Sequence, residues 1–234
     1  MKIKFIFLIL PVLVISFTSC KKDNYAEPGS FLTGKIAYND GAINVEYDKV
    51  NLQIWQPGFG KLNYIACAIG QDGTFSSLLF DGDYKLVFAP NQGPFMTKIV
   101  SAAAKDTIFV SLKGSQTLNI EVIPYYMVKE ARFTYSAGVI SATCKLDKII
   151  TDANAKTVER VTLYINKTNI VSGANYLIKQ DLPGAQVTDL NNVSLTGVTL
   201  PTLVPTQNYV FARVGLKMTG VEKLIFSPII KVNL

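Results

Sequence analysis

Apolar and polar positions alternate with a period of two along most of this chain, and no helical stripe interrupts the pattern. In the stretch 31–38, Leu32, Ile36 and Tyr38 share one parity, and the turn sequence Asn-Asp-Gly follows at 39–41. Turn signals recur about every 8–12 residues, which is typical of sandwiches built from short strands. The pattern therefore predicts an all-β protein.

The clearest turn signal in the first half is the dipeptide Asp81-Gly82, which separates two apolar runs. Asp-Gly between such runs favours a β-hairpin, because both central residues of a tight turn accept a positive φ. Short runs at 107–110 and 117–122 complete a set of strands for a first β-sandwich. We place this domain at residues 30–122.

The second half repeats the alternation in longer runs. Strands fit residues 131–135, 139–146 and 158–166, and a last strand fits the stretch from 227 onward. Residues 168–200, rich in Asn, Gly and Thr, show no clear pattern. We predict a second β-sandwich over residues 123–234, so that the fold is two consecutive β-sandwich domains. One parity of the strand near its end holds apolar residues only: Val210, Ala212, Val214 and Leu216.

The start of the chain has a different pattern. Lys2 and Lys4 precede thirteen mostly apolar residues, 5–17, and two small residues follow at 18–19. A charged start and a short apolar run are typical of a secretory signal, and the run is too short to span a bilayer. We therefore exclude these residues from the fold.

Cys20, directly after this run, has two interpretations. In one, an ordinary signal peptide is cleaved near Ser19 and the cysteine is incidental. In the other, which we predict, residues 1–19 are a cleaved lipoprotein signal peptide, Cys20 carries the acyl chains and residues 20–29 form a lipidated tether. Ser-Cys followed by Lys-Lys-Asp-Asn resembles the lipoproteins of Bacteroidota-type Gram-negative bacteria. This resemblance implies an outer-membrane protein exposed at the cell surface.

Composition supports an ordered chain and argues against nucleic acid as a partner. The chain is 49% hydrophobic and 17% charged, which suits a domain with a real core. The formal charge is +6, from 23 basic and 17 acidic residues. The basic residues are scattered singly, whereas nucleic-acid proteins concentrate them in a patch or stripe.

The sequence shows no sign of a catalytic site. The chain has no histidine, which removes the commonest general base and the histidine-dependent triads and zinc sites. A glycosidase needs only two carboxylates, but the candidates Asp81 and Asp83 lie in an Asp-Gly-Asp turn, where Asp is expected for backbone reasons. We predict no enzyme, no metal and no cofactor. Cys67 and Cys144 take the parity of apolar neighbours, so they are predicted to be buried, unbridged thiols in different domains.

The single tryptophan departs from the apolar pattern. In the strand from Asn51 to Trp55, Leu52 and Ile54 take the core face, so Asn51, Gln53 and Trp55 share the opposite face. A flat apolar ring beside two amide side chains is typical of a sugar-binding platform. We predict that these three residues contact a ligand.

Other aromatic residues support this site. Phe59 and Tyr84 are predicted as further ligand contacts, with Tyr64 and Phe95 as weaker candidates. The alternative is that a bulge near 57–58 turns the Trp55 ring inward, or that the ring packs on the second domain.

Short motifs resemble known families. G-K-I at 34–36, D-G-T-F at 72–75 and L-F-D-G-D-Y-K-L at 79–86 resemble the transthyretin or carboxypeptidase-regulatory type of sandwich. L-V-P-T-Q-N-Y-V-F-A-R-V-G-L at 203–216 resembles fibronectin type III domains. Taken with the start C-K-K-D-N-Y, the chain resembles a two-domain lipoprotein family of unassigned function, encoded beside SusC/SusD-like outer-membrane glycan-uptake systems.

This resemblance implies a carbohydrate-linked role at the cell surface. The partners it implies are the membrane, through the lipid, an oligosaccharide and SusC/SusD-like proteins. The function we predict is a non-catalytic accessory that binds glycan. The alternative is a structural or adaptor lipoprotein that binds protein partners of the same complex and has no sugar site.

Overall fold

The computed structural model describes residues 26–58, 63–91 and 93–234, so Cys20 and Phe59 lie outside the described residues. Within these ranges the chain forms eighteen strands and one 3-10 helix, Gly184–Gln186. The predicted all-β fold with two domains is therefore confirmed. No helix among the described residues is long and apolar enough to cross a membrane.

The first domain is a sandwich of two sheets. Its strands are β1 (Ser30–Tyr38), β2 (Gly41–Ala42), β3 (Asn51–Trp55), β4 (Tyr64–Ala68), β5 (Thr74–Leu79), β6 (Gly82–Phe88), β7 (Phe95–Thr97), β8 (Ile108–Leu112), β9 (Gln116–Thr117) and β10 (Ile120–Pro124). One sheet has the order β2-β1-β10-β7, with β5 and β9 also paired to β1, and the other has the order β4-β3-β6-β8.

The second domain is also a sandwich of two sheets. Its strands are β11 (Tyr126–Ser136), β12 (Val139–Lys148), β13 (Val158–Asn166), β14 (Ile178–Pro183), β15 (Val193–Thr199), β16 (Tyr209–Met218), β17 (Ile225–Phe226) and β18 (Ile230–Asn233). A three-stranded sheet has the order β11-β12-β15, and a five-stranded sheet has the order β14-β13-β16-β17 with β18 also paired to β16.

Strand parity places the core as the alternation predicts. Leu52 and Ile54 of β3 are fully buried between the sheets of the first domain. In the second domain the apolar parity of β16 is fully buried in the same way. Cys67 and Cys144 are buried free thiols, one in each sandwich, as predicted. Burial raises the pKa of both thiols, that of Cys144 to about 12.

The predicted hairpin at Asp81-Gly82 is wrong. These residues do join two strands, but β5 pairs with β1 in one sheet while β6 pairs with β3 and β8 in the other. The turn is an arch between the two sheets. Both flanking strands have an apolar face, and these faces bury against each other across the sandwich instead of lying side by side in one sheet.

The Asp81 carboxylate fastens this arch to its surroundings. It accepts hydrogen bonds from the Ser30 hydroxyl and from the Gly114 N–H, the latter at 2.9 Å. The bond from Ser30 is the main cause that lowers the pKa of Asp81. The side chain therefore joins the start of β1 to two turns, which is a structural role.

A segment of the first domain, residues 44–46, lies against the outer face of the five-stranded sheet. We call it the interdomain segment. The Phe226 N–H donates to the Asn44 carbonyl at 3.0 Å, and Arg213 Nη1 donates to the Val45 carbonyl at 3.1 Å. The Glu46 carboxylate accepts a hydrogen bond from the Ala174 N–H at 3.0 Å. These bonds fix the two sandwiches against each other.

The sheet face under this segment is covered by aromatic rings. Tyr164 and Phe226 lie with their ring centroids 5.9 Å apart, and both are buried. A Cβ built at Gly215 would lie 2.7 Å from the Phe226 ring and 2.8 Å from the Tyr164 ring. Only glycine at this position lets both rings lie flat on the strand.

Candidate functional site

The residues predicted to form a platform lie together on the outer face of the sheet β4-β3-β6-β8. Asn51, Gln53 and Trp55 are half-buried, and they alternate with the buried residues Leu52 and Ile54. Trp55 is therefore not turned into the core. Its Nε1 donates to the Gln53 amide oxygen at 3.3 Å, which orients the indole along the strand.

Strand register extends this face into a row across the whole sheet. Trp55 pairs with Tyr64 of β4 on one side and with Lys85 of β6 on the other. Lys85 in turn pairs with Phe109 of β8. Neighbouring strands are about 4.8 Å apart, so these four residues span about 14 Å at right angles to the strands. We call them the aromatic row.

The side chains of the aromatic row contact each other and face solvent. The Trp55 and Tyr64 ring centroids are 5.4 Å apart, with the ring planes tilted by 50°. Lys85 Nζ lies 5.7 Å from the Phe109 centroid, within the range of a cation–π contact. Phe109 is 63% exposed and Tyr64 is 42% exposed. The row is thus an open surface of three rings and one cation.

The structure contradicts the prediction for Tyr84. This residue has the parity opposite to Lys85, so its ring points into the sandwich and is only 2% exposed. Its hydroxyl donates to the Phe80 carbonyl at 2.8 Å, and burial raises its pKa. A ring in this position cannot contact a ligand on the surface. Phe95 is also buried, packed edge-on against Phe88. Phe59 lies outside the described residues.

Lys85 and Phe109 were not found by sequence reasoning. Alternation in the stretch 82–88 places Lys85 outward, which is a usable signal. That signal does not reveal which residues of other strands stand beside Trp55, because strand pairing is a long-range property. Phe109 belongs to a strand more than fifty positions away from Trp55.

A groove of about 730 Å³ begins beside the row and runs from β4 over β5 and β1. Ala66, two residues from Tyr64 on the same face of β4, lies at the edge of the groove. The rest of its lining is rich in hydroxyl groups, and two of them, Thr33 and Thr117, have their oxygens 3.0 Å apart. Small side chains and hydroxyl groups leave room for a polar ligand and offer it both donors and acceptors.

Among the described residues, no arrangement of groups around the aromatic row resembles a catalytic site. Asp83 lies on the same face of β6 as Lys85, and the other carboxylate of this turn, Asp81, is held by the structural hydrogen bonds described above. Across the described ranges no cluster of three or more His, Cys, Asp or Glu side chains is positioned to hold a metal ion. The rings of this face can stack on a flat apolar surface of a ligand, and its polar side chains can form hydrogen bonds with the ligand.

Two family models match the chain and together cover both domains. The model described as "Protein of unknown function (DUF3823) N-terminal domain" matches residues 30–123. The model described as "Domain of unknown function (DUF3823_C)" matches residues 126–231. A comparison with curated proteins gives no match.

Solved structures share the whole architecture. A DUF3823 family protein from Parabacteroides merdae has a TM-score of 0.76 and 29% identity, covering 89% of this chain and 100% of its own. One from Bacteroides ovatus has a TM-score of 0.75 and 28% identity, covering 88% of this chain and 100% of its own. A protein from Bacteroides uniformis described as a "putative carbohydrate binding protein" has a TM-score of 0.68 and 17% identity, covering 89% and 100%. At that identity the likeness shows the fold alone.

Proposed function

This chain belongs to the DUF3823 family, and we propose that it is a non-catalytic surface lipoprotein that binds glycan. In this proposal it is an accessory of a SusC/SusD-like outer-membrane polysaccharide uptake system. The carbohydrate-binding description of the Bacteroides uniformis neighbour agrees with it. The observation that carries the proposal is the aromatic row.

The aromatic row suits a sugar for physical reasons. A sugar ring has an apolar C–H face, which stacks on Trp55 or Phe109, and a rim of hydroxyl groups. The amide groups of Asn51 and Gln53 donate and accept hydrogen bonds, and the Lys85 ammonium donates them. Large aromatic side chains exposed side by side on a soluble domain often mark a binding surface. The hydroxyl-lined groove beside β4 offers a path along which a longer oligosaccharide continues.

Anchoring follows from the proposed lipidation of Cys20. The tether, residues 20–29, leads into β1 at Ser30. Each buried methylene of an acyl chain contributes about 0.8 kcal/mol, so several chains hold a protein firmly at a membrane. We expect Cys20→Ala to move the protein from the membrane fraction to the soluble fraction. A variant that stays with the membrane would contradict lipidation at this residue.

Binding is tested by calorimetry on residues 21–234, which contain every residue of the described fold. The ligands are plant and host polysaccharides. We expect a Kd between about 1 μM and 1 mM, or roughly −8 to −4 kcal/mol. Trp55→Ala and Phe109→Ala should each weaken binding at least about tenfold, which is 1.4 kcal/mol. Tyr135→Ala, at a comparably exposed aromatic residue of the second domain, is the matched control and should bind as the parent does.

Two results would overturn this proposal. Unchanged binding by Trp55→Ala and Phe109→Ala would move the site away from the aromatic row. No binding to any polysaccharide, together with a protein partner recovered by crosslinking in cells, would favour the adaptor alternative.

One observation favours that adaptor alternative. β4 is an edge strand of the described sheet, and its side chains Tyr64 and Ile65 are 42% and 44% exposed. An apolar edge strand without lysine or proline is suited to adding a strand from another protein. In that case Ile65→Lys should abolish the partner crosslink, and Tyr135→Ala, in the second domain, should leave it unchanged.

A further inference from the structure

We propose that the cleft between the two domains is a second saccharide site, distinct from the aromatic row. The cleft has a volume of about 560 Å³, which is within the range of about 300–1,000 Å³ found for small-molecule pockets. Neither domain forms it alone. The lining residues are Asn44, Gln71 and Asp72 from the first domain and Asn169, Phe211, Pro228, Ile229 and Lys231 from the second.

The walls of this cleft are held at a fixed separation. Gln71 spans the two domains, because its Nε2 donates to the Asn169 carbonyl at 3.0 Å and its Oε1 accepts from the Val171 N–H at 2.9 Å. The Asn44 carbonyl accepts a hydrogen bond from the Phe226 N–H at the same boundary. A ligand that enters the cleft therefore meets a preorganised site and avoids the cost of ordering it.

Polar groups in the cleft are available to a ligand. The side-chain amides of Asn44 and Asn169 have no hydrogen-bond partner within the part of the chain that the structure describes. Each amide can donate and accept at the same time, which is what neighbouring sugar hydroxyls require. The two amides come from opposite walls, so a ligand between them can bond to both domains.

Asp72 adds a fixed anionic acceptor. Burial by itself would raise its pKa, but hydrogen bonds from the Thr74 hydroxyl at 2.7 Å and the Thr74 N–H at 3.1 Å outweigh burial and lower it. Both of these bonds end on Oδ1. Asp72 is therefore an ionised group whose orientation is set before a ligand arrives.

An apolar wall completes the cleft. The half-buried Phe211 ring packs edge-on against Tyr209, with the centroids 5.7 Å apart, and Ile229 also lines the cleft. Lys231 Nζ lies 3.9 Å from the Tyr209 centroid, so this cation is held at the rim. The Phe211 ring can stack on the C–H face of a sugar, while the amides on opposite walls and the Asp72 carboxylate can bond to its hydroxyl groups. This combination is typical of a saccharide site.

The charges of the cleft select the class of saccharide. Among the described residues that line the cleft, Lys231 is the single cation and Asp72 is the single anion, and they come from opposite domains. A sulfated or phosphorylated ligand would meet one attractive and one repulsive charge at close range. A neutral sugar uses both groups as hydrogen-bond partners, so the cleft favours neutral oligosaccharides.

The test is NMR titration of 15N-labelled residues 21–234. The probes are neutral gluco-, manno-, xylo- and galacto-oligosaccharides, with chondroitin sulfate as the anionic probe. We expect a neutral probe to shift the amide signals of residues 70–72 and 229–231. Asn169→Ala should weaken that binding at least about tenfold, because it removes an exposed amide that bonds to no other described residue. Lys231→Met, at the rim, should also weaken the binding of the neutral probe. Phe211→Leu removes the ring of the apolar wall and should weaken it as well.

Trp55→Ala is the matched control for the cleft and should leave these shifts unchanged. The proposal is overturned if no neutral probe shifts the cleft signals, if chondroitin sulfate is preferred, or if Asn169→Ala and Lys231→Met bind as the parent does. These results are separable from failure of the proposed function. Loss of binding in Trp55→Ala alone would leave the aromatic row as the sugar site and remove the cleft. Loss in the cleft variants alone would do the reverse.

Discussion

Both sandwiches carry aromatic rings and a cation on the outer face of one sheet, but the two faces have opposite surroundings. In the first domain, Lys85 lies 5.7 Å from the Phe109 centroid and both face solvent. In the second domain, Arg213 lies 3.7 Å from the Phe226 centroid and both are buried under the interdomain segment. Similar residue types therefore form an open surface in one domain and an interface in the other.

An aromatic sheet face is available to a ligand only where no other part of the chain covers it. Burial lowers the pKa of Arg213, against a smaller opposing effect from nearby Glu46, because a guanidinium without water is less easily charged. Arg213 stacks closely on its ring and donates to the Val45 carbonyl. Lys85 is exposed, so its ammonium group stays hydrated and can contact a ligand. Covering by another part of the chain, rather than residue type, separates an interface from a free surface.

The largest expected effect comes from removing the ring on each face. Phe226→Ala should reduce the free energy of unfolding by about 3–5 kcal/mol, because it opens a cavity beside Tyr164 and Arg213. Phe109→Ala, the matched change on the open face, should stay within about 0.5 kcal/mol. Urea denaturation followed by circular dichroism measures both. Equal losses at the two positions would show that the first-domain face is also covered.

A smaller loss of stability is expected from replacing Gln71 at the domain boundary, compared with Gln53 on the open face. Gln71→Ala removes two hydrogen bonds between the domains and should reduce the free energy of unfolding by about 1–3 kcal/mol. It should also speed hydrogen exchange at the Val171 N–H, which then lacks its acceptor. Gln53→Ala on the open face loses, among the described residues, a single side-chain hydrogen bond, the one from Trp55, and should change stability by less than about 0.5 kcal/mol. Unchanged exchange at Val171 would contradict the bridging role of Gln71.

Acid should weaken both domains, and one contributing carboxylate in each can be tested separately. The pKa of Asp81 is lowered mainly by the hydrogen bond from Ser30, and that of Asp147 mainly by the hydrogen bond from Lys129. A carboxylate with a lowered folded pKa adds stability above its ordinary value of about 3.9, and this stability is lost as the pH falls through the folded pKa. Between about pH 6 and pH 3 the unfolding midpoint should therefore fall.

The variants Asp81→Asn and Asp147→Asn separate the two domains in this acid response. An amide oxygen still accepts a hydrogen bond but does not titrate, so each variant should lose less stability on acidification than the parent does. Urea midpoints measured over the same pH range give the comparison. A parallel loss in parent and variants would assign the acid response to other groups.

The smallest expected effect is on the rate at which the two thiols react. The raised pKa values of Cys67 and Cys144 leave little thiolate at neutral pH, and both side chains are buried. In residues 21–234, Ellman's reagent should react slowly with both, and rapidly only after denaturation. Cys67 lines the groove beside β4 and should react first. Faster reaction of Cys144 would mean that the second sandwich opens more readily than the first.

The alternation of apolar and polar residues was sufficient to predict much of this fold. It identified the all-β class, the inward positions Leu52 and Ile54, the buried parity of β16 and the outward position of Trp55, because successive side chains of a strand point to opposite faces wherever the strand lies. Tyr84 shows that the rule must be applied to every residue. It occupies an inward position of β6, and its alternation with Lys85 was sufficient to exclude it as a ligand contact.

The pairing of the strands and the covering of their faces could be seen in the three-dimensional fold but not in the local sequence. Strand pairing joins residues far apart in sequence, so the Asp81-Gly82 arch resembled a hairpin, and Lys85 and Phe109 could not be placed beside Trp55 from the sequence. The same limit applies to the burial of Arg213, because the interdomain segment that covers it lies 168 positions earlier in the chain. The residues of a strand determine which of its side chains point outward. The residues packed against that strand determine whether those side chains are exposed to solvent or buried.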